Sequence, residues 1–198
     1  IGLPTACILA SVGHTVRGVD TNPEVVRILR SRGLHIYEPG LRELLELVTE
    51  SGRLIFSSEP STADVFVLAV PTPLNDDKSA NLQYVKAATL SIVPYVRAGN
   101  LVILESTVPP GTLKNTVVPL LEKSGLSVGK ELFVAHSPER VLPGRILHEL
   151  VENSRIVGGI DEESTERARE LYATFVKGQI LCTDSTTAET VKLIENTY

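Results

Sequence analysis

The 198-residue chain has no Met and no Trp, only two Cys, and just 5% aromatic residues. Cys7 and Cys182 lie far apart, with no CxxC pair and no His couple beside them, which excludes a disulfide-stapled scaffold and a thiolate metal site. Two buried free thiols are expected instead. His14, His35, His136 and His148 show no metal-ligand spacing, so no metal is expected. Long apolar runs are missing too. None approaches the roughly 18 residues of a membrane span, and no basic, apolar leader opens the chain. Positive charge is short: the net charge is -5, which argues against binding a phosphate backbone, since that needs a basic face. Neither nucleic acid nor a membrane is expected as a partner, and the expected location is cytoplasmic. Since Met is absent even at position 1, the sequence is expected to be a piece of a longer protein, or to have lost modified methionines.

What is present is ordinary globular composition, 42% hydrophobic and 22% charged, enough to bury a core. Helical and extended patterns alternate. Residues 3–12 read as a helix broken at Gly13, and 14–19 as a short strand ending at Asp20. Asn22-Pro23 supplies an N-cap and a first-turn proline for a helix that stops at Gly33. Residues 40–51 carry apolar positions at helical spacing, and 53–57 form a brief strand. The continuous apolar runs 63–70 and 101–104 are strands, with helices expected over 82–96 and 111–123. Further strands fall at 131–135, 155–157 and 179–182. A helix covers 161–175, and Asp184 or Ser185 caps a last one. This density of alternation predicts an α/β fold, a doubly wound, mostly parallel, Rossmann-like sheet.

Ile1-Gly2 followed at once by a helix matches the end of a G-x-G-x-x-G turn, and Asp20 at the tip of the next strand falls near the spacing of about 20 residues. In that pattern the helix N-terminus faces a pyrophosphate and the carboxylate accepts from ribose hydroxyls, which favours NAD over NADP. The first strand of the fold is then expected to be missing from this sequence. A structural glycine and a solvated strand-end Asp would leave the same pattern. In doubly wound sheets ligands sit beyond the carboxyl ends of the strands. Three expected strands end in Pro-stiffened loops, Pro71-Thr72-Pro73, Glu105 to Thr112, and His136 to Arg140. Plain turn chemistry is the alternative for each. Lys192 and Asn196 share one face of the last helix, with Glu189 and Glu195 three residues either side of Lys192, the spacing of a surface ion pair. An ammonium there could instead stabilise a developing alkoxide.

Taken in order, IGLPTA (1–6), Val19-Asp20, EPGLRELL (38–45), VPTP (70–73), ESTVPPGT (105–112), HSPERVLPGR (136–145), RIVGG (155–159) and AETVKLIENTY (188–198) resemble the N-terminal domain of the UDP-glucose/GDP-mannose dehydrogenase family. SPERVLPG with RIVGG most resembles the branch acting on UDP-N-acetyl-D-mannosamine. Pro143 stands where the glucose branch usually has a second Glu. The resemblance implies NAD-dependent oxidation of a UDP-sugar C6 alcohol to the uronate, with two NAD reduced per turnover, for cell-surface polysaccharide biosynthesis. It implies that Gly2, Asp20, Val70, Thr72 and Thr107 bind the cofactor. Thr107, Glu139, Lys192 and Asn196 would be catalytic, and Arg140, Val141 and Leu142, with Lys192 and Asn196, would meet the sugar. It further implies a Rossmann domain over 1–184 and the start of a central dimerisation helix over 185–198, hence a homodimer or higher homo-oligomer. The catalytic Cys and the C-terminal UDP-binding domain would lie outside the chain, leaving it inactive alone. UDP-glucose or another UDP-hexosamine as substrate, a two-electron 3-hydroxy acid dehydrogenase, and a non-catalytic nucleotide sensor remain open.

Overall fold

In chain order the elements are α1 (Gly2–Ser11), β1 (Val16–Val19), α2 (Pro23–Arg30), α3 (Leu41–Glu50), β2 (Leu54–Ser57), β3 (Val65–Leu68), α4 (Gln83–Ile92) and β4 (Leu101–Leu104). They continue with α5 (Val118–Leu121), β5 (Phe133–His136), α6 (Ile146–Glu152), β6 (Arg155–Gly159), α7 (Glu162–Ala173), β7 (Ile180–Asp184) and α8 (Ser185–Glu195). The computed structural model describes residues 1–195. Local signals set several boundaries. Asn22 Oδ1 accepts from the Glu24 N–H at 3.0 Å with Pro23 in the first turn of α2, as its sequence demands. Asp184, rather than Ser185, caps α8, accepting from the Thr187 N–H at 3.0 Å. The helix expected over 111–123 is irregular: a π-helical turn, Leu113–Val117, leads into α5 and a short 3₁₀ turn. Pro119 has no N–H to donate to the preceding turn, and the wider turn accommodates its ring.

The chain forms two compact units. The first comprises Ile1–Pro60, Arg140–Asn153 and Thr174–Gly178. It holds the parallel pair β1–β2, in register from Val16 opposite Leu54 to Val19 opposite Ser57. Its core gathers Cys7 and Ala10 of α1, Val26 and Leu29 of α2, Leu41, Leu45 and Val48 of α3, and Leu54 and Phe56 of β2. No strand precedes β1 among the described residues.

The second unit comprises Ser61–Glu139, Ser154–Ala173 and the chain from Gln179 onward. Its five strands run in the order β3-β4-β5-β6-β7. The core beneath them includes Phe66, Leu68, Val102, Leu104, Val117, Leu121 and Val134. β3, β4 and β5 are mutually parallel, and β6 is parallel to β7, but β5 and β6 are antiparallel. A parallel β6 would need a crossover that returns to the starting edge of the sheet. Segment 137–154 instead brings the chain back beside the end of β5, and β6 starts there. The result is the expected mostly parallel, Rossmann-like α/β fold, with one reversal. Cys182 departs from the expectation of a buried thiol: it is exposed on β7, the edge strand of this sheet. Among the described residues no helix is long and apolar enough to cross a membrane.

Candidate functional site

Because β3, β4 and β5 are parallel, their carboxyl ends share one edge of the second unit. There the Ser106 hydroxyl donates to the Val70 carbonyl at 2.7 Å and accepts from the Val70 N–H at 2.9 Å. Thr72 Oγ1 donates to the Thr107 carbonyl at 2.7 Å. Val70, Thr72 and Thr107 are thus brought together by direct stitching of the loops after β3 and β4. Four prolines, Pro71, Pro73, Pro109 and Pro110, stiffen both loops.

Glu139 follows β5 on the same edge, and the strand reversal decides its neighbour. Ala135 pairs with Gly159 and His136 with Gly158. Continuing that antiparallel register three residues places 139 opposite 155. Glu139 does form a buried ion pair with Arg155. Arg155 Nη1 also lies 3.6 Å from Glu105 Oε1, and its guanidinium stacks 4.1 Å from the centre of the Tyr172 ring. The Tyr172 hydroxyl donates to Glu105 Oε1 at 2.8 Å. Burial, with the Glu105 carboxylate beside it, pushes the Tyr172 phenol well above its ordinary value, so it stays a neutral donor. Sequence reasoning missed Arg155, Glu105 and Tyr172 as companions of Glu139.

His136, at the end of β5, is fully buried, and burial pushes its imidazole down to about 4, with the Leu104 carbonyl pulling the other way. It is neutral in the fold at neutral pH, whereas an unfolded chain protonates it below about pH 6.5. The unfolded state therefore binds more protons below that pH. This contribution to stability is complete above about pH 6.5 and is lost as the pH falls toward 4. It amounts to about 3 kcal/mol over the whole window. Urea midpoints at pH 7 and pH 4.5 should fall further apart in the wild type than in His136→Leu. Equal pH slopes would refute this assignment.

On α8, Ser185, Ala188, Glu189 and Lys192 form one buried stripe. Glu189 is not the surface partner that its spacing offered. Its carboxylate accepts from the Gly111 N–H at 2.5 Å and the Leu113 N–H at 2.8 Å, pinning α8 to the end of the loop after β4. Burial pushes the Glu189 carboxyl up, and the two N–H groups partly counter this. Lys192, one turn on, is 7% exposed. Asn196 lies outside the described residues.

The remaining sequence-derived candidates fall in the first unit. Gly2 opens α1, whose first turn has neither a side-chain cap nor an acidic residue, the condition for an anion at a helix N-terminus. Asp20 ends β1. Its Oδ1 accepts from the Asn22 N–H at 2.8 Å, which orients the carboxylate and leaves Oδ2 for a hydroxyl. These groups suit the pyrophosphate and ribose of a dinucleotide. Arg140, Val141 and Leu142 form the start of a loop held by two buried carboxylates. Glu38 accepts from the Gly144 and Ile146 N–H groups at 2.9 and 2.7 Å, and Glu149 accepts from the Leu142 N–H at 2.8 Å. Among the described residues no cluster of His, Cys, Asp and Glu could hold a metal ion.

Comparison with known proteins agrees with these features. Residues 1–176 match the model of the UDP-glucose/GDP-mannose dehydrogenase family, NAD binding domain. A UDP-N-acetyl-D-mannosamine dehydrogenase of Methanococcus maripaludis is 48% identical, over 100% of this chain and 45% of its own length. An NDP-N-acetyl-D-galactosaminuronic acid dehydrogenase of Ralstonia solanacearum is 44% identical, over 100% of this chain and 48% of its own. The solved structure of the UDP-N-acetyl-mannosamine dehydrogenase of Staphylococcus aureus superimposes with a TM-score of 0.97 at 46% identity, covering 100% of this chain and 48% of that one. The chain spans about half the length of these relatives. By this match over residues 1–176 and this identity across the whole chain, the chain belongs to the UDP-glucose/GDP-mannose dehydrogenase family and carries its NAD-binding domain.

Proposed function

We propose that the protein carrying this chain oxidises the C6 alcohol of a UDP-sugar, UDP-N-acetyl-D-mannosamine first among them, to the uronate with reduction of two NAD. The observation that carries this reading is the 48% identity, across the entire chain, to a UDP-N-acetyl-D-mannosamine dehydrogenase. The 44% identity to an N-acetylgalactosaminuronic acid enzyme makes another UDP-hexosamine the second reading. A cytoplasmic homo-oligomer that supplies uronate for polysaccharide synthesis is the setting in which this activity fits. Residues 1–184 act as the cofactor domain, and the helix from 185 begins the dimer core.

Bound NAD supplies the hydride acceptor. Gly2, at the open first turn of α1, offers N–H groups to the pyrophosphate, and Asp20 accepts from the adenosine ribose and repels a 2'-phosphate. Val70, Thr72 and Thr107 line the nicotinamide side. Loss of hydride from an alcohol builds negative charge on oxygen. The Lys192 ammonium offsets that charge, with Thr107 as a hydroxyl donor and Asn196 of the same motif as a further polar group. Glu139, held by its ion pair with Arg155, orients the water that releases the uronate after the second oxidation. Arg140, Val141 and Leu142 pack against the sugar.

The second oxidation also requires a nucleophile to add to the aldehyde. Neither thiol here serves. Cys7 is buried and its thiol is pushed up to about 12, so its thiolate is scarce at neutral pH. Cys182 is exposed on an edge strand, outside every matching motif. The nucleophile therefore belongs to the rest of the protein, and residues 1–198 alone are expected to complete no turnover. The test is a panel of UDP-sugars offered to the complete protein, with NADH counted per sugar consumed. Two NADH per UDP-N-acetyl-D-mannosamine is the expected result. One NADH, from a 3-hydroxy acid and not from any UDP-sugar, would replace this reading with a two-electron dehydrogenase.

A further inference from the structure

In the loop that carries Arg140, Val141 and Leu142, every backbone donor from Leu142 to Ile146 has a partner. The Leu142 N–H goes to Glu149, the Gly144 and Ile146 N–H groups go to Glu38, and the Arg145 N–H goes to the Leu142 carbonyl at 3.0 Å. Pro143 has no N–H to satisfy. Gly144 adopts the left-handed φ of 87° that turns the chain into α6. Each donor from 142 to 146 is thus committed to a single partner.

The unusual partner is Glu38. It is 4% exposed and sits in the irregular segment between α2 and α3, yet it caps a helix more than a hundred residues later. α6 has no side-chain cap of its own, so Glu38 supplies the acceptor that its first turn needs. Gly40, in the left-handed region, fits the same arrangement: a Cβ there would lie 3.6 Å from Leu147 of α6. The product of this clamping is an apolar side chain held outward. Leu142 is 61% exposed on a backbone held by these hydrogen bonds. Removing such a clamp charges the cost of ordering the loop to the binding of whatever Leu142 touches.

We propose that Glu38 is a positioning residue for sugar recognition: by clamping the Gly144 and Ile146 N–H groups it presets the 140–145 loop that meets the nucleotide sugar. This rests on the UDP-sugar reading above. In the complete protein, Glu38→Gln retains one acceptor oxygen and Glu38→Ala none. Two readouts separate the possibilities. Amide exchange, which needs no substrate, should accelerate at Gly144 and Ile146 by tenfold or more in Glu38→Ala and less in Glu38→Gln. Steady-state kinetics should show the KM for UDP-N-acetyl-D-mannosamine rising about tenfold in Glu38→Gln, with kcat and the KM for NAD within twofold. Unchanged exchange at those two amides would overturn the clamp. An equal rise in both KM values with a lowered Tm would reduce Glu38 to a packing role and overturn it as well. A wild-type protein that oxidises no UDP-sugar would sink the functional reading itself, which the wild-type assay shows before any variant is made.

Discussion

Arg155→Met should destabilise the protein by about 3–5 kcal/mol, the cost of stranding buried charges when one partner is removed. Arg155 lies between two carboxylates, Glu105 and Glu139, and all three side chains are almost entirely buried. Met fills much of the same volume and preserves the apolar stem, so the loss is electrostatic rather than steric. The two acids would lose the cation they share, while the Tyr172 hydroxyl still donates to Glu105. Arg155→Lys separates charge from shape. It keeps the cation but loses the planar fork and the stacking on Tyr172, so a smaller loss, about 1–2 kcal/mol, is expected. Adding Glu105→Gln to Arg155→Met should recover part of the loss, because one stranded charge is gone. Chemical denaturation of the three variants measures this ladder. A loss under about 1 kcal/mol for Arg155→Met would mean that the cluster is hydrated and the pair is worth no more than a surface one.

That cluster marks the limit of what the residues disclose by themselves. Asn22-Pro23 opens α2 where expected because capping is local chemistry, and β4 occupies 101–104 because a short, continuous apolar run has few alternatives. The meeting of Thr72 with Thr107 was legible from one topological rule, that loops at the carboxyl ends of parallel strands share an edge. The Glu139–Arg155 pair was not, since it depends on β6 running backwards and on the register set by two residue pairs. Glu189 misled for a related reason. Helical spacing offered it Lys192, but its carboxylate answers to backbone groups 76 and 78 residues away. Cys182 is exposed because β7 is an edge strand, and strand order is not written in the residues around it. EPGL was visible as a motif, while the work of Glu38 became visible only when α6 was seen to begin beside it.

Lys192→Ala should lower kcat by about a thousandfold in the complete protein while leaving the affinity for NAD within a factor of two or so. Losses of 10²–10³ follow removal of one preorganised group aimed at a developing oxyanion. Lys192 is suited to that role by its support. It shares a buried stripe with Glu189, which anchors α8 through two N–H groups at the end of the loop that also carries Thr107. A lysine on a flexible surface would reorganise with each turnover and return little of its Coulomb energy, whereas one on a pinned helix meets the charge already in place. Glu189→Gln tests that support separately. Gln keeps one acceptor and loses the second, so α8 loosens without losing the ammonium, and kcat should fall about tenfold with its pH profile unchanged. Lys192→Ala, in contrast, should respond to added alkylamines, which restore a cation to the vacated space and recover rate in proportion to their basicity. A Lys192→Ala protein that keeps more than about a tenth of wild-type kcat would remove Lys192 from the chemistry, and the oxyanion would then require another donor on the rim formed by Thr72 and Thr107.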